Sequence, residues 1–212
     1  MNDFATGSNL DLVVHRPERV TSLILLFHGV GSQPESLTPV GRILAGRFPD
    51  SLIVSICSPE PLGRGWQWFS THDVTEANRP GRVATAMPNF LTAVRRWQTC
   101  AQVDAGNTTL IGFSQGAIMV LEASQLAGDA IAVRTVAIAG RFAVPPRTAH
   151  QMTPKIHLIH GDADHVMPVQ LAVEAERNLR TLGVTVTLDL VPRMGHEIDA
   201  RAIDNVIRRL EN

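Results

Sequence analysis

The chain has 212 residues, 44% of them hydrophobic and 18% charged, with a formal net charge of −1, the usage of a globular domain and not of a disordered or fibrous one. Near-neutral charge without a run of like charges excludes electrostatic recruitment of nucleic acid or an anionic membrane surface. The most apolar run, Leu23 to Phe27, falls far short of the roughly 20 residues of a membrane span.

Residues 1–9 lack the basic start and apolar stretch of a secretory signal, so a cytoplasmic protein is expected. Cys57 and Cys100 are too few for a disulfide framework, and both are expected as free thiols. No repeat or Ser/Gly linker divides the sequence, which predicts one domain over residues 1–212.

Short β-branched runs predict strands at residues 10–15, 21–27, 52–57, 108–113, 134–139, 155–160 and 184–191. Between them, Leu37, Val40, Leu44 and Phe48 mark one helical stripe, and Val83, Met87, Leu91, Val94 and Trp97 a second. Pro88 interrupts the second stripe and implies a kink, or a helix start, near it. Further helices are expected from Ser114 to about residue 127, over 168–181 and over 199–210. Arg95-Arg96 and Arg208-Arg209 lie late in such helices, as solvated cations that complement the helix dipole.

Strands alternating with helices predict an α/β chain, a mainly parallel sheet of about seven strands with helices on both faces. Most strands are continuous apolar runs, as expected where both faces are covered. Residues 184–190 instead alternate apolar with Thr and Asp, which predicts a strand near the sheet edge with one face more exposed.

Gly112-Phe113-Ser114-Gln115-Gly116 falls between a predicted strand and a predicted helix. The glycines permit a tight turn that presents Ser114 above the helix N-terminus, the setting of a nucleophilic serine; the alternative is a serine that merely caps the helix. A serine hydroxyl needs an imidazole base held by a carboxylate. His196 follows the last predicted strand, and Asp162 and Asp164 follow the one before it. Ser, Asp and His thus appear in the α/β-hydrolase order, each past the carboxyl end of a strand, where ligand sites of such sheets gather.

Oxyanion donors are expected from the Gln115 N–H, after the nucleophile, and from the loop His28-Gly29-Val30-Gly31, with Val30 as the candidate. Residues 58–78 and 141–154 show no regular pattern and are too short for a helical lid. Trp66, Trp68 and Phe69 either line an acyl groove or anchor their loop on the core. His157, His160, Asp162, Asp164 and His165 could suggest a metal, but His157 and His160 point to opposite faces of a strand. No metal or cofactor is expected.

Phe27-His28-Gly29-Val30-Gly31, Gln67-Trp68-Phe69-Ser70, Leu110 to Ala117, Ile159 to Asp164 and Gly195-His196 together resemble, in order and over nearly the whole chain, the phospholipase/carboxylesterase family of small α/β-hydrolases, which includes acyl-protein thioesterases. Leu26 to Gly31 and Ile111 to Met119 further resemble a bacterial serine esterase of that family. The resemblance implies carboxylesterase activity on a small acyl ester, a triad of Ser114, Asp164 and His196, and Val30 and Gln115 as oxyanion donors. Thioester and lysophospholipid hydrolysis use the same triad, and a noncatalytic binding protein can share the fold. Ser70 stands where family members often carry aspartate, a departure that bears on substrate preference.

Overall fold

Period-two alternation along each central strand sends neighbouring apolar residues to opposite sides of the sheet, so both sides need a helical layer. The computed structural model describes residues 10–126, 128, 130–147 and 154–211; the segment 1–9, read above as no signal, lies outside them. In chain order the elements are β1 (Leu12–His15), β2 (Ser22–Phe27), α1 (Thr38–Arg47), β3 (Ser51–Ile56), β4 (Glu60–Leu62), β5 (Gly65–Gln67), α2 (Arg79–Ala101), β6 (Thr108–Phe113), α3 (Gln115–Ala123), β7 (Arg134–Ile138), β8 (Lys155–Gly161), α4 (Gln170–Thr181), β9 (Val186–Val191) and α5 (Ala200–Leu210).

The seven-stranded sheet has the order β1-β3-β2-β6-β7-β8-β9, parallel throughout except for β1 against β3. Leu23, Leu25 and Phe27 of β2 pack into a core with Phe90 and Val94 of α2 and Met119 of α3. Ile24 and Leu26 face the other way, into a core with Leu44 of α1 and Val206 of α5. The chain runs outward from β2 to β3, then crosses back to β6 on the other side of β2. The crevice of an open α/β sheet forms at such a reversal, outside the carboxyl ends of the two strands.

The edge position of β9 agrees with its alternating sequence. Asp189 on this strand accepts from Arg208 at 2.9 Å and from Arg209 at 2.7 and 2.8 Å, so the basic pair ending α5 is tied to the sheet. Asp199 caps the other end of α5, accepting the Ala202 N–H at 2.9 Å. Arg96 likewise pairs with the buried Asp11 carboxylate beside β1. Cys57 and Cys100 are free thiols. No described helix is long and apolar enough to cross a membrane.

Three expectations change. Of the two alternatives at Pro88, the helix start is not met, for α2 begins at Arg79 and runs through Pro88 to Ala101. Pro88 and Ala84 both lie on the exposed side, where water can take the carbonyl that proline leaves without a donor. The helix after Ser114 ends at Ala123, earlier than expected, and Ala127 lies outside the described residues. Residues 58–78 contain the hairpin of β4 and β5, whose three-residue strands are too short to show alternation. Trp66 fastens this hairpin to the loop after β2, with Gly31 N–H to Trp66 O and Trp66 N–H to Ser32 O both at 2.8 Å.

His157 of β8 is buried and shares a 2.9 Å hydrogen bond with Thr187 Oγ1. Burial, with Arg209 and Arg134 nearby, pushes its imidazole down to about 4. The unfolded chain protonates this ring near 6.5 and the folded protein resists, so stability falls as pH drops from about 6.5 towards 4. The loss is on the order of 2 kcal/mol between about pH 6.5 and 5. His157→Gln keeps a partner for Thr187 and removes the titration. It should flatten that part of the curve of Tm against pH, which thermal unfolding at pH 7 and pH 5 measures.

Candidate active site

Ser114 joins β6 to α3 with φ 53° and ψ −115°, a conformation outside the ordinary regions for an L-residue. Close packing at two glycines makes the turn possible. A Cβ on Gly112 would lie 2.4 Å from Gly116 O, and one on Gly116 would lie 2.2 Å from Phe27 O. The turn is thus pressed against its own helix and against the end of β2. Ser114 N–H donates to Ile138 O at 3.0 Å, which fixes the turn to β7 as well. The residue is 7% exposed.

The turns after β8 and β9 are stapled to each other. Ala163 N–H donates to Met194 O at 3.1 Å and Asp162 N–H to Val191 O at 3.2 Å, while Asp162 Oδ1 accepts the Arg193 N–H at 2.5 Å. Asp162 therefore shapes the turn, and Asp164 faces the site. Asp164 Oδ1 accepts the N–H groups of Val166 and Met167 at 2.9 and 2.8 Å, and Oδ2 lies 2.8 Å from His196 Nδ1. His196 Nε2 lies 2.8 Å from Ser114 Oγ.

Burial opposes ionisation of Asp164, but the Met167 N–H, the His196 ring and the Val166 N–H outweigh it and hold the carboxyl below the usual carboxylate range. An ionised carboxylate only accepts, so His196 Nδ1 carries the proton and Nε2 offers its lone pair to the Ser114 hydroxyl. Such a relay can withdraw a proton from Ser114 Oγ.

Val30 and Gln115, the two expected oxyanion donors, line the same cleft as Ser114. The Gln115 N–H stands at the start of α3, where no intrahelical carbonyl is available. Beside Val30, the Gly31 and Ser32 N–H groups are engaged with Trp66 O and Gly29 O. The Gln115 side chain accepts the Trp68 N–H and donates to Phe69 O, each at 2.7 Å, so the residue after Ser114 also holds the loop that follows β5.

A cleft of about 670 Å³ opens beside Ser114, with an apolar wall of Val30, Phe69, Ile118, Met167 and Leu171 and a polar one that includes Glu76, Arg79 and Arg141. Of the three aromatics proposed to line it, Phe69 does. Trp68 does not: it is 2% exposed, packs on Phe27, Phe90 and His28 at centroid distances of 5.5 to 5.8 Å, and donates its indole N–H to His28 O. A large ring whose one polar atom finds a buried acceptor belongs to the core. Trp66 lines a separate hollow with Leu10, Cys57 and Arg96.

Sequence reasoning passed over three features of the site. Phe113 packs on the His196 ring at a centroid distance of 5.1 Å. His160 lies behind Asp164, its Nε2–H donating to Met167 O at 2.7 Å with Asp164 Oδ2 3.4 Å away. Burial lowers the His160 pKa against the raising pull of Met167 O and Asp164, so the ring is neutral near pH 7. Arg141 follows the carboxyl end of β7, a position the topology itself marks as facing the site. Among the described residues no cluster of His, Cys, Asp or Glu is placed to hold a metal ion.

A mainly parallel seven-stranded sheet flanked by helices, with a serine, an imidazole and a carboxylate meeting at its carboxyl rim, is the architecture of the α/β-hydrolases. The chain belongs to the phospholipase/carboxylesterase family, whose model matches residues 9–212, and is a carboxylic ester hydrolase. It is 46% identical to esterase YpfH of Escherichia coli (strain K12) over 201 residues, 93% of this chain and 86% of that one. The crystal structure of esterase PE8 superposes with a TM-score of 0.86 at 27% identity, covering 96% of this chain and 97% of that one. Acyl-protein thioesterase 2 of Zea mays shares the fold at a TM-score of 0.70 and 19% identity, over 97% and 98% of the two chains.

Proposed function

We propose that the protein is a serine esterase in which Ser114 is the nucleophile, His196 the general base and acid, and Asp164 the residue that orients and stabilises the imidazole. The observation that carries this reading is the unbroken contact Asp164 Oδ2, His196 Nδ1, His196 Nε2, Ser114 Oγ, with both links at 2.8 Å. Ser114 Oγ attacks the ester carbonyl while its proton passes to His196 Nε2. The oxyanion formed is bound by the N–H groups of Val30 and Gln115. Collapse breaks the ester C–O bond, His196 returns the proton to the departing alcohol, and an acyl group remains on Ser114. Water then adds by the same route and releases the acid.

Labelling by a fluorophosphonate tests the assignment: one adduct is expected at Ser114 and none in Ser114→Ala, and a wild-type protein that stays unlabelled would refute it. The cleft volume and its apolar wall support short- to medium-chain acyl esters as substrates. Across aryl esters from acetyl to palmitoyl, kcat/KM should peak at short or medium chains, and an optimum at palmitoyl would overturn that preference.

A further inference from the structure

The polar wall of the Ser114 cleft carries more positive charge than its own contacts use. Glu76 lies in the loop before α2, Arg79 opens α2, Arg141 follows β7, and all three line the same cleft as Ser114. Arg141 faces both Glu76 oxygens, with Nη1 2.9 Å from Oε1 and Nη2 2.6 Å from Oε2, and its Nε–H donates to Phe142 O at 3.1 Å. This bidentate pair already forms a complete clasp between the two loops. Arg79 adds a second guanidinium to the same carboxylate, its Nη1 lying 2.6 Å from Oε1. Among the described residues, its Nε and Nη2 meet no acceptor.

The surplus charge is also poorly placed for stability. Arg79 sits in the first turn of α2, which holds no acidic residue and has no side-chain cap, and a cation at a helix N-terminus opposes the macrodipole. The Arg79 side chain is 15% exposed whereas that of Glu76 is 69% exposed, so the cation is held against the wall and its counter-ion at the rim. A guanidinium with free N–H donors beside an apolar cleft matches the planar oxygens of a carboxylate or phosphate.

We infer that the ester hydrolysed at Ser114 carries, on the same small molecule, an anionic oxyacid group that docks on Arg79. The inference rests on the proposed role of Ser114 and adds a substrate class to it. The apolar wall takes the hydrocarbon of the substrate, and the free N–H groups of Arg79 take its charge.

Two matched pairs of esters test this, each comparing a carboxylate with its neutral amide. One pair places the charge on the acyl chain, a monoaryl adipate against the corresponding adipamate. The other places it on the alcohol, para-carboxyphenyl butyrate against para-carbamoylphenyl butyrate. In one pair the anionic ester should have the higher kcat/KM, on the order of tenfold and mainly through KM, with the preference shrinking as salt is raised. Arg79→Gln should collapse the ratio towards one and Arg79→Lys should keep part of it; the responding pair identifies the half of the substrate that is charged. Absence of an anionic preference in both pairs, or its survival in Arg79→Gln, overturns the inference while neutral turnover leaves Ser114 in its role. Failure of all four esters together with failure of fluorophosphonate labelling removes both.

Discussion

Ser114→Ala is expected to lower kcat about a millionfold with KM nearly unchanged, the loss typical of removing a triad nucleophile. The substitution deletes one oxygen and keeps the Cβ, so the φ of 53° costs alanine what it costs serine and the turn should survive. The packing that imposes this backbone comes from Gly112 and Gly116, which are untouched. Tm should therefore stay close to wild type, and His196 loses its contact at Nε2 while keeping Asp164. Steady-state hydrolysis of an aryl butyrate, with mass spectrometry to exclude wild-type contamination, measures the loss. A residual rate above that in water is expected from the Val30 and Gln115 N–H groups and from substrate binding. Turnover near the wild-type rate would place the nucleophile elsewhere.

The meeting of residues 114, 164 and 196 was legible because a parallel sheet converts chain order into geometry. Each strand leaves the sheet at the same rim, so a residue just past a strand end lies near that rim whatever its separation in sequence. Ser114 and His196 are 82 positions apart and still lie within hydrogen-bonding distance. The edge strand β9 was legible for a related reason, since half-exposure leaves alternation in the sequence.

What escaped reading depends on contacts that leave no periodic trace. Trp66 and Trp68 lie two positions apart in one short stretch, and the sequence does not say which faces the core; the carbonyl of His28 holds Trp68 there. Glu76 and Arg141 are 65 positions apart, in loops whose residues follow no pattern, so their bidentate pair emerges only when the loops are folded together. The partners of Glu122 escape in the same way. Glu122, in the last turn, turns inward to accept the N–H groups of Ala143 and Val144 at 2.7 and 3.3 Å and to pair with Arg147. A buried carboxylate requires such partners, and the chain that supplies them lies about 20 residues downstream.

Asp164→Asn should lower kcat about ten-thousandfold, the scale of loss when a triad carboxylate becomes an amide. The direction follows from the two backbone donors at Oδ1. The Val166 and Met167 N–H groups require an oxygen at that position, so the asparagine amide must place its NH2 where Oδ2 stood, facing His196 Nδ1. Two donors cannot share that 2.8 Å contact, and the imidazole answers by moving its proton to Nε2, where it can no longer accept from Ser114. Fluorophosphonate labelling should slow in proportion to kcat, because it needs the same proton transfer. Asp162→Asn makes the contrast: among the described residues its Oδ1 receives only the Arg193 N–H, which an amide oxygen also accepts, so activity should change little. If Asp162→Asn were to cost the larger factor, the imidazole would be oriented by the other aspartate, and the contact between Asp164 and His196 would not be the one that chemistry uses.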